Sequence, residues 1–190
     1  ASAHRKMWRW MVSPPFTVVT VGGTNGKGSA CAMLEAILGA AGYRTGCYTS
    51  PHLLRYNERV RIDGREAPDE RLCESFAAVE HARGGVPLTY CEFGTLGAVW
   101  LFAQARPDAL VLEVGLGGRL DATNVVDPAV ACVTTIELEH TDKLGSTLAA
   151  LAIAAWGAWR LRARAGALLL HALAFVLLVA DPFNTLWYAT

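Results

Sequence analysis

A chain of 190 residues holds one ordinary domain or two small ones, which excludes a large multidomain enzyme. Its 17 Lys plus Arg balance 17 Asp plus Glu for a formal net charge of +0, so the basic footprint of a nucleic-acid binder is missing and no nucleic-acid partner is expected. Charged residues make up 18% and hydrophobic ones 53%, against about 25% charged in an ordinary soluble domain, and the apolar excess lies towards the C-terminus. The five cysteines, Cys31, Cys47, Cys73, Cys91 and Cys132, are scattered without a C-x-x-C pair, which argues against a zinc or redox motif and for reduced residues in or near the core. His4, Arg5, Lys6 and Arg9 are followed by no apolar run before Pro14-Pro15, so a signal peptide is not expected and the compartment read from the sequence is the cytoplasm.

Residues 1–15 read as an N-terminal extension. From 16 to 148, short β-branched runs alternate with helix-like segments, the pattern of a three-layer α/β domain with a mainly parallel sheet. The first strand is expected at 17–21 and is stopped by Gly22-Gly23. A helix over 27–41 follows, because Ala30, Met33, Leu34, Ile37, Leu38 and Ala41 recur at three- and four-residue spacing before Gly42. Residues 43–49 form the next strand. A helix over 68–83 carries Leu72, Phe76 and Val79 on one face, has acidic residues in its first turn and closes at Gly84-Gly85. Another helix covers 92–105, ending before Pro107; buried strands are expected at 109–114 and 129–136.

Residues 149–190 break this pattern. Between 148 and 180 the charged residues are Arg160, Arg162 and Arg164, and 165–180 is almost continuously apolar around His171. Three readings stand side by side for this helical tail: sequence foreign to the domain, a helix pair covering an exposed sheet face, or a membrane hairpin flanked by the arginines. Against the hairpin, the run falls short of the roughly 17–25 residues a span needs, and a polar group near its middle is costly.

The segment Gly22-Gly23-Thr24-Asn25-Gly26-Lys27-Gly28-Ser29 lies between the first strand and the first helix. Glycines let backbone N–H groups approach phosphate oxygens without Cβ clashes, and the helix start offers unpaired donors. Lys27 supplies a cation for the β- and γ-phosphates, and Ser29 is placed to reach Mg²⁺. The spacing departs from the common phosphate-loop template, since Val21 stands at the first glycine position and Gly28 separates Lys27 from Ser29. Glu113, ending an apolar strand, brings a carboxylate to the sheet edge where α/β folds bind ligands, and reads either as an Mg²⁺ ligand or as a solvated strand end. Gly115, Gly117, Gly118, Arg119 and Asp121 make a tight polar loop beside it, and His140 follows the last strand.

Together with Tyr48-Thr49-Ser50-Pro51-His52-Leu53, Asn57-Glu58-Arg59-Val60-Arg61-Ile62, the 113–124 block Glu-Val-Gly-Leu-Gly-Gly-Arg-Leu-Asp-Ala-Thr-Asn and His140-Thr141-Asp142, these residues resemble the folylpolyglutamate synthase/dihydrofolate synthase family, which is related to the Mur ligases. The resemblance covers 16–148, the first part of the family's ATPase domain. It implies ATP and Mg²⁺ as cofactors and amide-bond formation, in which a carboxylate of dihydropteroate or a folate becomes an acyl phosphate that the amine of glutamate attacks. It further implies Ser50, Glu113 and His140 as Mg²⁺ ligands, Gly23 through Ser29 as the nucleotide loop, Lys27 and His140 as catalytic residues, and Asp121 as a pterin-side contact. His52 and Arg59 are open between a site role and loop packing or a surface salt bridge.

The family's lysine-bearing Lys-Ala-Gly-Ile segment has no counterpart, since this chain reads Ala149-Ala150-Leu151-Ala152-Ile153 there, and Cys91 stands where an aromatic is usual. The alternatives to a complete ligase are an ATP-binding module without ligase activity and a membrane- or partner-associated fragment. The expected assembly is a monomer, or a chain needing a partner to cover its incomplete sheet.

Overall fold

A computed structural model describes residues 16–116 and 121–135 of the chain. The expectations for 1–15, for Gly117, Gly118 and Arg119, for His140 and for the tail 149–190 lie outside the described residues.

The fold is a mixed α/β layer structure around one six-stranded sheet of order β4-β3-β2-β5-β1-β6. Its centre is parallel: β1 (Thr17–Gly22) lies between β5 (Ala109–Glu113) and β6 (Val130–Val133), and β2 (Thr45–Tyr48) flanks β5. These runs are rich in Val and Thr, which suit a pleated buried surface, and every residue of β2 and β5 is buried. The sequence analysis has no strand where β3 (Val60–Ile62) and β4 (Arg65–Glu66) form an antiparallel hairpin on the β2 edge. Its turn is Asp63-Gly64, at φ 50 and 73, the positive-φ pair that a two-residue hairpin turn requires.

Strand alternation divides the core. Val18, Leu110 and Leu112 point to one face, where they pack with Leu101 and Phe102 of α3 (Tyr90–Ala105) and Leu72 of α2 (Asp69–Arg83). Here α3 lies against the sheet and α2 packs on α3. Val21, Cys47 and Val111 point to the other face and meet Cys31, Leu34 and Leu38 of α1 (Lys27–Ala40). Gly46 belongs to the crowded face, where a Cβ would stand 2.8 Å from a Phe102 ring carbon.

Three expectations need correction. On α1 the buried stripe is Cys31, Leu34, Glu35 and Leu38, while Met33 and Ile37 are 64% and 63% exposed; apart from Lys27 and Glu35 the helix is uncharged, so apolar spacing did not single out the inward face. Helix α3 starts earlier than expected, at Tyr90, because Thr89 and Glu92 close a reciprocal cap in which each takes the other's backbone N–H, at 3.3 and 2.7 Å. Of the five free cysteines, Cys31 and Cys47 are buried as expected and Cys132 is half-buried, but Cys73 and Cys91 are exposed on the outer sides of their helices. No helix among the described residues is long and apolar enough to cross a membrane.

Candidate active site

Parallel register brings three chain reversals to one end of the sheet. Val21 pairs with Glu113 and Tyr48 with Leu112, so Gly22, Glu113 and Ser50 all emerge at the C-terminal edge. The loop after β1 turns through Gly23 at φ 133 and Gly26 at φ 77. Gly26 is the N-cap of α1 and has no side chain to satisfy the helix's first N–H groups, and no acidic residue occupies the first turn. The helix start therefore keeps its donors and positive dipole end for an external anion. Lys27 folds back over the loop, donating from Nζ to the carbonyls of Gly23 at 2.8 Å and Thr24 at 3.0 Å.

Glu113 is 4% exposed, and burial raises its carboxyl above the ordinary range, opposed by the Ser50 N–H and by the charges of Lys27 and Arg61. Its Oε2 accepts the Ser50 N–H at 2.8 Å; its Oε1 faces Gly28, 3.7 Å from where a Cβ would lie there. A cavity of about 550 Å³ opens between these groups, lined by Gly26, Gly28, Ser29, Thr49, Ser50, Glu113, Glu35 and Arg61 among others. Ser29, Ser50 and Glu113 thus all line this cavity, and oxygen-bearing side chains of this kind suit a hard divalent cation.

Asp121 borders this site but is occupied locally. Its Oδ2 accepts the N–H groups of Gly115 and Leu116, both at 3.0 Å, and its Oδ1 takes the Thr123 N–H at 2.9 Å and hydroxyl at 2.7 Å. It holds the turn after β5 against Ser50: a Cβ on Gly115 would stand 3.3 Å from Asp121 Oδ2 and 3.5 Å from Ser50 Oγ. Arg59 is not a surface ion pair. It is 9% exposed, donates from Nε to His52 Nδ1 at 2.7 Å, and lies 5.7 and 5.5 Å from the ring centres of Tyr56 and Tyr90.

The sequence reading passed over Glu35 and Arg61, which form a nearly buried pair at 2.8 Å on the cavity floor. Arg61 also reaches the Cys47 sulfur, at 3.3 Å, and the Glu58 carbonyl, also at 3.3 Å. Glu35 Oε1 has no hydrogen-bond partner among the described residues. The available signal was a carboxylate on the Leu34/Leu38 stripe of an otherwise apolar helix, and an arginine alternating with Val60 and Ile62.

Comparison with known proteins decides what this arrangement belongs to. No family model matches the sequence. The dihydrofolate synthase/folylpolyglutamate synthase of Escherichia coli is 60% identical over 135 residues, 71% of this chain and 32% of that protein. This chain is homologous to the folylpolyglutamate synthase/dihydrofolate synthase family. Among solved structures, E. coli FolC in complex with DHPP and ADP superposes with a TM-score of 0.77 at 54% identity, over 82% of this chain and 37% of that one. The Yersinia pestis bifunctional folylpolyglutamate synthase/dihydrofolate synthase, complexed with AMPPNP and Mn ion, gives 0.74 at 51% identity over 81% and 39%. The chain spans about a third of the length of the curated relatives it matches.

Proposed function

We propose that residues 16–148 are the nucleotide-binding part of an ATP-dependent ligase that joins glutamate to dihydropteroate or a folate. The observation that carries this reading is the convergence of the glycine loop, Ser29, Ser50 and Glu113 on one cavity at the C-terminal sheet edge. In this reading the N–H groups at the start of α1 and the Lys27 ammonium receive the phosphates of ATP, and Lys27 exchanges its two carbonyl partners for phosphate oxygens. Ser50 and Glu113, with His140 from the following block, hold Mg²⁺, which when bound neutralises charge on the transferring phosphoryl group. Buried Glu113 is kept oriented by the Ser50 N–H, so the carboxylate is in place before the cation arrives. Asp121 holds the Gly115–Leu116 turn on the acceptor side. The free cysteines suit a reducing compartment, in keeping with the cytoplasm.

A second reading is an ATP·Mg²⁺-binding module without turnover, favoured by the sequence Ala149-Ala150-Leu151-Ala152-Ile153 where the resemblance puts a lysine-bearing segment. Calorimetric titration with a non-hydrolysable ATP analogue and Mg²⁺, beside Lys27→Ala, tests the shared part: saturable binding that the substitution abolishes is expected, and a folded chain that binds nothing refutes it. Phosphate release dependent on both dihydropteroate and glutamate then separates the ligase from the module.

A further inference from the structure

Strand β6 leads into two threonines that reach across to the phosphate loop. The Thr134 hydroxyl donates to the Asn25 carbonyl at 2.6 Å, and the Thr134 N–H to the Gly22 carbonyl at 2.9 Å. The Thr135 hydroxyl lies 3.3 Å from the same Asn25 carbonyl and accepts the Asn25 N–H at 3.2 Å, while the Thr135 carbonyl takes the Thr24 N–H at 2.7 Å. Gly23 passes so close beneath them that a Cβ would stand 2.1 Å from Thr134 Oγ1. Only a residue without a side chain can run along this surface.

These bonds sort the loop's backbone groups into two sets. The N–H groups of Thr24 and Asn25 are spent on residues 134–135. The peptide between Asn25 and Gly26 is trans, and a trans peptide sets its carbonyl and N–H on opposite sides. Fixing the Asn25 carbonyl on Thr134 therefore aims the Gly26 N–H away from β6, and Gly26 lies on the wall of the cavity. The next amides, of Lys27, Gly28 and Ser29, open α1, where helical N–H groups have no intrahelical acceptor. We propose that Thr134 and Thr135 are positioning residues, a two-threonine latch that holds the phosphate loop in the shape that turns the N–H groups of residues 26–29 towards a polyphosphate. The inference rests on the nucleotide-binding reading above and deepens it: the anion site is made by the loop and by the end of β6 together.

Thr134→Val and Thr135→Val remove a hydroxyl and keep the volume, while Thr134→Ser keeps the hydroxyl. In the full 190-residue chain, affinity for Mg²⁺·AMPPNP is read by calorimetry and exchange of the Thr24 and Asn25 amides by NMR in the nucleotide-free state. Thr134→Val is expected to weaken AMPPNP about tenfold, the loss of one hydrogen bond that holds the loop, and Thr134→Ser to bind as the parent does. Thr135→Val is expected to expose the Asn25 amide to exchange while the Thr24 amide, whose acceptor is a backbone carbonyl, stays protected. Unchanged affinity in Thr134→Val, or an equal loss in Thr134→Ser, overturns the latch and leaves the nucleotide reading standing. If the parent chain binds no AMPPNP, that reading falls and the latch's role towards a polyphosphate falls with it, an outcome distinct from unchanged affinity in Thr134→Val, which removes the latch alone.

Discussion

The two faces of the sheet are built on different rules. Towards α2 and α3 the core is large and apolar, with Leu101, Phe102, Leu110 and Leu112 each almost wholly buried. Towards α1 the buried side chains are small, namely Val21, Cys31, Cys47 and Val111, and charge lies directly beside them in Glu35, Arg61 and Glu113. Burial first, and then the Glu35 and Glu113 carboxylates, push the Cys47 thiol up to about 12 against the pull of Arg61, which keeps it neutral next to these groups. Small side chains let α1 and its loop approach the strand ends, and the charges the cavity needs are held by partners rather than by solvent. One face supplies stability, and the other spends some of it on placing donors and acceptors.

The largest effect expected from breaking this contrast is on the apolar face. Phe102→Ala should lower unfolding stability by about 3–5 kcal/mol, measured by urea titration, while the nucleotide affinity of the folded fraction stays unchanged. On the α1 face, Arg61→Met strands the Glu35 carboxylate, whose side chain is 10% exposed, and should cost about 3 kcal/mol. Adding Glu35→Leu should restore most of that loss in the same assay, because an apolar pair can replace a buried ion pair; failure to restore it would show that the pair itself stabilises the fold. The smallest effect belongs to the cavity rim, where the Glu58 carboxylate accepts the N–H groups of Leu53, Leu54 and Arg55 at 2.7–2.8 Å. Those bonds hold its pKa at about 2, below the ordinary 4.5. The folded value is the lower one, so this contribution is full above about 4.5 and is lost as pH falls towards 2. Glu58→Gln should flatten that acid-side slope by lowering stability in the neutral region, where the carboxylate's contribution is full, and leave stability near pH 2 little changed.

Much of this was legible in the chain. β-branched and apolar runs marked the four parallel strands, of which β2 and β5 are buried throughout, and Gly42, Gly84-Gly85 and Pro107 marked where the helices stop. The Asp63-Gly64 turn was equally visible as a dipeptide, yet its strands, of three and two residues, are too short to announce themselves by alternation. The inward face of α1 was not legible, since a helix with so few polar residues has almost no polar side to contrast with an apolar one. Within the candidate site, the glycine loop and Glu113 were singled out by local chemistry and their place at strand ends, whereas Ser50 entered only through the family resemblance.

Glu35, Arg61, Thr134 and Thr135 were not readable as site residues, because each meets its partner only across the sheet. Thr134 lies 109 positions from Asn25 and Arg61 26 from Glu35. By itself the sequence determined the order of the four parallel strands and the three helices, the glycine-loop composition and the family to which the chain is homologous, all carried by blocks of residues close together along the chain. Tertiary structure alone decided which strand is neighbour to which, which face of α1 turns inward, and which of the loop's amides are used up by the end of β6. Those outcomes depend on packing and hydrogen bonds between segments far apart in sequence, and local composition does not encode such distances.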